Sequence, residues 1–151
     1  MGFTVWNSAL VPSTHIVTVT ESDIDELGHA NNVAYVRWVQ DAAVAHSEAV
    51  GLGYAGYVKL GGVFVIRRHE IDYLRSALRG DRLAVRTRIS SVAAAQCQRS
   101  TSVTRESDAT EVARAVTTWV YVDGASGRPT RIHDDVYKAF GFEPRKRIKA
   151  T

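Results

Sequence analysis

One long helical stripe stands among five strand-like runs in this chain, and that order narrows the folds open to it. From Val33 onward, Tyr35, Val36, Val39, Ala42, Ala43, His46, Ala49 and Val50 recur at steps of three and four. That spacing lays side chains on one face of an α-helix. Asn31 or Asn32 supplies an N-cap, and Gly51 with Gly53 supplies an end. The spacing thus predicts a helix over 33–50. Before it, Thr14–Thr20 (THIVTVT) alternates and is rich in β-branched residues, which predicts a strand. After it come a glycine-rich link and four further strand-like runs, Gly62–Leu74, Asp81–Val92, Cys97–Arg105 and Val112–Asp123. In the second of these, Leu83, Val85, Thr87 and Ile89 alternate with Arg82, Arg86 and Arg88. Asp134–Phe140 reads as a short helix. Strand, long helix, then four consecutive strands on short turns predict an α+β layout, with an antiparallel sheet curling over one helix. Long strands with few partners predict edge pairing between two copies of the chain.

Size and composition set the outer limits. A length of 151 residues suits one domain; residues 1–144 are expected to form it, with 145–151 as a basic tail. The net charge of +3, from 19 basic and 16 acidic residues, suits anionic ligands without requiring nucleic acid. The single cysteine, Cys97, excludes an internal disulfide and a zinc site of the multi-cysteine type. The histidines lack metal-site spacing, so no metal site is expected. No run of about 18 apolar residues is present, so no membrane span is expected. The N-terminus carries no basic patch followed by an apolar core, and Trp6 stands where a myristoylation motif needs Ser or Thr. A cytoplasmic location is the expectation, and a reducing compartment fits the lone thiol.

The densest chemistry lies at the entrance to the helix. Asp23 to Trp38 reads DIDELGHANNVAYVRW. A cap needs only one of these polar residues. Taken singly, Asp23 and Asp25 read as turn formers or solvated charges, Gly28 as a turn glycine and His29 as a solvated loop residue. Together they say more. A helix N-terminus has unpaired N–H groups and a partial positive charge, which can polarise a carbonyl oxygen as an oxyanion hole. A carboxylate a few residues upstream stays ionised there and can act as base or nucleophile on that carbonyl.

This stretch resembles the active-site segment of hotdog-fold acyl-CoA thioesterases of the 4-hydroxybenzoyl-CoA thioesterase type. Their pattern is roughly Asp-x-x-Gly-His, a small residue, Asn-Asn-x-x-Tyr, then an acid further along the helix. Asp25, Gly28, His29, Asn31, Asn32, Tyr35 and Asp41 match it. Downstream, HEIDYLRSALRGDRL and RAVTTWVYVDGASGRPTRI resemble later strands and turns of the family. Ser76 and His133 stand where the family often has proline, which bears on the substrate channel and not on the reaction. The resemblance implies a long antiparallel sheet wrapped around one central helix, two chains paired edge to edge, and a homodimer or homotetramer. It makes Asp25 the catalytic carboxylate and the backbone N–H groups near Asn32 and Val33 the oxyanion hole. His29 and Tyr35 would position substrate or water, and Gly28 and Asn31 would line the substrate. Coenzyme A would be part of the substrate and no other cofactor is implied.

A thioester carbonyl has weak resonance stabilisation, so a carboxylate and an oxyanion hole suffice without a Ser-His-Asp triad. No Gly-x-Ser-x-Gly elbow is present. Arg67, Arg68 and His69 form a basic cluster able to meet coenzyme A phosphates. Simple alternation puts Arg67 and His69 on the face of Ile71 and Tyr73, with Arg68 opposite. Two rival readings keep the same fold: an acyl-carrier-protein thioesterase, suggested by Arg37 near the helix, and a non-catalytic module that binds acyl-CoA. A hydratase reading is disfavoured because no Asn-Pro occurs.

Overall fold

The computed structural model describes residues 4–5 and 12–144. Its strands are β1 (Thr4–Val5), β2 (Ser13–Thr18), β3 (Gly62–Tyr73), β4 (Arg82–Ala93), β5 (Gln96–Arg105) and β6 (Thr110–Asp123). All pair antiparallel in one sheet. The order β4–β5–β6–β3 forms the body, while β1 and β2 share the far side of β4. Among the described residues β3 pairs only with β6, so its other edge is open.

Helix α1 spans Asn32–Ala49 and lies against this sheet. It forms where the three-and-four spacing placed it. Its buried stripe is Ala34, Tyr35, Trp38, Val39, Ala42, Ala43 and His46. Around the first half of α1, Trp38 packs with Leu83, Val85, Val103 and Val112. Around the second half, a distinct cluster joins Leu52, Ile89, Cys97, Tyr121 and Phe140. Burial of each such side chain contributes roughly 1.5–3 kcal/mol, and truncating Trp38 to Ala would cost about 3–5 kcal/mol.

Helix α2 (Tyr54–Leu60) occupies what the sequence presents as a glycine-rich link. It has no buried residue and ends at Gly61, whose φ of 78° is the left-handed cap glycine permits. Its glycines masked it. Helix α3 (Asp134–Ala139) follows the last strand, and His133 caps it by accepting the Asp135 N–H on Nδ1 at 3.0 Å.

Strand β3 departs from simple alternation. Ile66 pairs with Trp119, and Arg68 pairs with the adjacent Thr118, so Arg67 is an extra residue in a bulge. Tyr73, Ile71 and His69 pair with Ala113, Ala115 and Thr117, and on the other side of the bulge Ile66 and Phe64 pair with Trp119 and Tyr121. The expectation that Arg67 shares a face with His69 is corrected: the bulge takes Arg67 out of phase and leaves it exposed. The basic segment expected at 145–151 lies outside the described residues. No described helix is long and apolar enough to cross a membrane.

Candidate active site

Thr20 to Asp23 opens the site. Thr20 caps a short 3-10 turn at Glu21–Asp23, and its N–H donates to Asp23 Oδ2 at 2.9 Å. Asp23 is buried and ion-paired to Arg37, one turn into α1. Burial on its own would raise the Asp23 carboxyl, but the Thr20 N–H, Arg37 and the Thr20 hydroxyl hold it below its ordinary value. Asp23 is therefore neither a solvated charge nor a simple turn former; it ties the loop to the helix.

Asp25 follows, exposed, at the start of a tight return. Its N–H donates to the His29 carbonyl at 2.9 Å, and the Gly28 N–H donates to the Asp25 carbonyl at 3.0 Å. Ile24 and Ala30 form an antiparallel bridge across the same loop. Gly28 sits at φ 77°, which a side chain would strain. These bonds bring Asp25 and His29 side by side. Asp25 Oδ1 accepts the Leu27 N–H at 2.9 Å, which fixes the carboxylate as an Asx turn. The His29 ring reaches the Ser76 hydroxyl at 3.3 Å through Nδ1.

Asn31 is the N-cap of α1. Its Oδ1 accepts the Ala34 N–H at 2.8 Å, and its Nδ2 donates to the Asp23 carbonyl at 3.0 Å. Asn31 is thus occupied structurally. The next two N–H groups, of Asn32 and Val33, have no acceptor among the described residues. Both residues are exposed, Val33 at 73%. A pair of free N–H groups at the positive end of an 18-residue helix is the geometry that receives a developing oxyanion. Tyr73 adds a contact from β3, its hydroxyl donating to the Asn32 carbonyl at 3.2 Å.

The structure brings Asp25, Gly28, His29, Asn31, Asn32 and Val33 into one loop and helix start. Tyr35 does not join their exposed surface. It is 3% exposed, its hydroxyl accepts the Ala77 N–H at 3.0 Å, and its ring packs edge-on to Tyr73. Its hydroxyl instead holds the 76–77 loop against α1, so Tyr35 stands behind the surface on which substrate or water would be positioned. The basic cluster also divides. Arg68 is ion-paired to Glu70, and His69 turns inward, its Nδ1 hydrogen-bonded to the Thr117 hydroxyl at 2.9 Å. Burial pushes the His69 ring below its ordinary value. His69 is thus turned from the surface, while Arg67 and Arg68 are both exposed and Arg67 has no ion pair among the described residues. Asp41 is exposed and shares an open groove with Asp23, Arg37 and Trp38.

Sequence reasoning missed the contact of Ser76 with His29, that of Tyr73 with Asn32, and the Asp23–Arg37 pair. The Thr20–Asp23 spacing is a capping-box signal and could have marked Asp23 as structural. The other contacts span 14 to 47 positions, and no local pattern encodes them.

A central helix wrapped by one antiparallel sheet is the hotdog architecture. The sequence model of the thioesterase-like superfamily matches residues 19–140, and the chain belongs to that family. No curated protein sequence matches it. Solved structures share the fold at low identity. A Lactobacillus plantarum protein assigned as an oleoyl thioesterase superposes with a TM-score of 0.84 at 19% identity; the match covers 95% of this chain but only 56% of that one. A 1,4-dihydroxy-2-naphthoyl-CoA thioesterase from Synechocystis gives 0.78 at 19% identity, covering 85% of this chain and 95% of that one. A hypothetical protein from Thermus thermophilus gives 0.77 at 24% identity, covering 85% and 96%.

Proposed function

We propose that this protein hydrolyses an acyl-CoA thioester to a free carboxylic acid and coenzyme A. The observation that carries the reading is the free Asn32 and Val33 N–H pair at the start of α1, one tight loop from the ionisable Asp25. Membership of the thioesterase-like superfamily supports the reaction class. In this reading the thioester oxygen accepts from those two N–H groups as the carbonyl carbon becomes tetrahedral. Asp25 takes a proton from the attacking water, or attacks the carbon itself to give an anhydride that water then opens. The carbon–sulfur bond breaks and the departing thiolate takes a proton. His29, held by Ser76, positions water or substrate, and Gly28 and Asn31 shape the loop around it.

Arg67, exposed and without an ion pair among the described residues, is proposed to meet a phosphate of coenzyme A. The open edge of β3 is proposed to pair with a second copy, giving a homodimer. Val65 and Tyr73, 44% and 45% exposed on that strand, would gain cover. The buried, neutral Cys97 thiol is compatible with a cytoplasmic setting. The Asp23 ion pair engages Arg37, which favours coenzyme A over an acyl carrier protein as the carrier.

The test compares wild type and Asp25→Asn on short, long and aromatic acyl-CoAs by thiol release. The variant is expected to lose about two orders of magnitude or more in kcat/KM. A wild type inert on every acyl-CoA would overturn the activity, and equal rates would overturn the role of Asp25. Single-turnover hydrolysis in oxygen-labelled water separates base from nucleophile, because only a nucleophilic Asp25 acquires label.

A further inference from the structure

Tyr73 closes β3, and the sheet fixes where its ring can go. The residue pairs with Ala113, and the next two N–H groups, of Leu74 and Arg75, donate to the Val112 carbonyl at 2.9 and 3.1 Å. The ring stands edge-on to Tyr35, with centroids 5.1 Å apart and planes at 88°. Tyr35 rests in turn on Trp38, at 4.9 Å between centroids. That stack delivers the Tyr73 hydroxyl to the Asn32 carbonyl, where it donates at 3.2 Å.

Neither group needs this bond in order to be satisfied. Tyr73 is 45% exposed, so water could serve its hydroxyl. The Asn32 carbonyl faces the Val36 N–H inside α1, in the ordinary helical bond. The consequence of the bond lies at the other end of the same peptide. The Asn32 carbonyl and the Val33 N–H belong to one planar group, joined by a C–N bond of partial double-bond character. A hydrogen bond accepted at the oxygen draws electron density through that bond and leaves the N–H a better donor, by about 10–30% in strength. It also holds the peptide plane, so the Val33 N–H keeps its aim. The Asn32 N–H belongs to a different peptide, that of the Asn31 carbonyl, which accepts the Ala34 N–H at 3.1 Å. Tyr73 therefore acts on one of the two exposed donors and not on the other.

We propose that Tyr73 is a positioning residue for the oxyanion hole: its bond to the Asn32 carbonyl makes the Val33 N–H the stronger of the two donors that receive the thioester oxygen. The inference rests on the thioesterase reading of the same site.

The experiment isolates the hydroxyl. Tyr73→Phe keeps the ring on Tyr35 and removes the bond, so it is expected to melt as wild type does. Butanoyl-CoA, oleoyl-CoA and benzoyl-CoA serve as short, long and aromatic probes. Losing a whole oxyanion donor costs about 10²–10³-fold in kcat, so losing about 10–30% of one corresponds to about two- to eightfold. That fall is expected in kcat, with KM unchanged, because the bond matters most where negative charge develops. The second readout is the infrared stretch of an isotope-labelled thioester carbonyl bound to Asp25→Asn. The stretch is expected below its value in water, and part of the way back when Tyr73→Phe is added, at unchanged affinity. Replacing Tyr73 by a ring-fluorinated tyrosine, a stronger donor while protonated, is expected to lower it further. No shift on binding, or failure of all three thioesters to bind, would overturn the oxyanion-hole reading and this proposal with it. A shift that Tyr73→Phe leaves in place, a fall in kcat accompanied by a lower melting temperature, or a rise in KM at unchanged kcat would overturn the role of Tyr73 alone.

Discussion

His46 on α1 accepts a hydrogen bond from Arg99 on β5 at 2.9 Å, so helix and sheet are joined at their centre by a neutral imidazole and a buried cation. Burial, then the Arg99 charge, lowers the His46 ring to about 4. Its ordinary value is 6.5, so the unfolded chain takes up the proton first as pH falls. The stability this group contributes is complete above its unfolded value and is lost as pH drops from there toward about 4, by about 3 kcal/mol in all. Burial lowers His69 as well, and it acts in the same direction. Urea midpoints measured from about pH 7 to about pH 4 should show the decline, and His46→Gln should flatten it. An unchanged slope in the variant would place the pH dependence elsewhere.

The Asp23–Arg37 pair is asymmetric, with side-chain exposures of 4% and 55%. Removing the buried partner leaves the Thr20 N–H and Arg37 unmatched, whereas removing the exposed one leaves a carboxylate still bound by Thr20. Asp23→Ala is expected to cost about 2–4 kcal/mol and Arg37→Ala about 1 kcal/mol or less. Because the Asp23 carboxyl is held low, its contribution is present at neutral pH and lost as pH falls through the carboxylate range. Denaturant titrations decide it, and equal costs would show that the pair and not the buried cap carries the energy.

Tyr35→Phe separates packing from catalysis. The hydroxyl accepts the Ala77 N–H in the core, so its loss should destabilise by about 1–2 kcal/mol. Turnover by the folded variant should change little. A large fall in kcat with normal stability would return Tyr35 to the reacting groups.

Tyr121 presents the opposite case. Its hydroxyl is buried without a partner among the described residues, so Tyr121→Phe should be neutral or stabilise by up to about 1 kcal/mol. Gly62 faces that ring so closely that an added Cβ would lie 2.4 Å from Tyr121 Cζ. Gly62→Ala should therefore cost about 1–3 kcal/mol through overpacking. Thermal melts of the two variants should move in opposite directions, or the first not at all; a clear loss for Tyr121→Phe would mean that the hydroxyl has a partner after all.

Periodicity made the long helix and the strands of this fold legible. The α1 stripe from Tyr35 to His46 and the Leu83–Ile89 alternation both emerge as their spacing predicts, since one face of each must meet the core. Helix α2 was hidden because Gly53, Gly56 and Gly61 imitate a linker, and its lack of buried residues leaves no apolar stripe to read. At the site, the residues within one loop, Asp25 to Val33, were found together because local bonds hold them. The inward orientation of Tyr35 and His69 was not legible, for a different reason. Their orientation depends on partners at Ala77 and Thr117, 42 and 48 positions away. The buried charge at Arg99 was invisible in a run as polar as CQRSTSVTR.

The single extra residue at Arg67 divides β3 into two reading frames. Were Arg67 taken into the pleat as an ordinary strand residue opposite Trp119, the pairing from His69 to Tyr73 would stay intact while the Gly62–Ile66 half shifted by one position. Phe64 would leave the core for water, and Val65 would turn under the helices in its place. The two ends of one strand are thereby uncoupled: the half beside Asn32 and the half beside Arg99 can each change their inward residues without disturbing the phase of the other. A family built on one sheet and one helix gains from such a slip the freedom to vary its two ends separately.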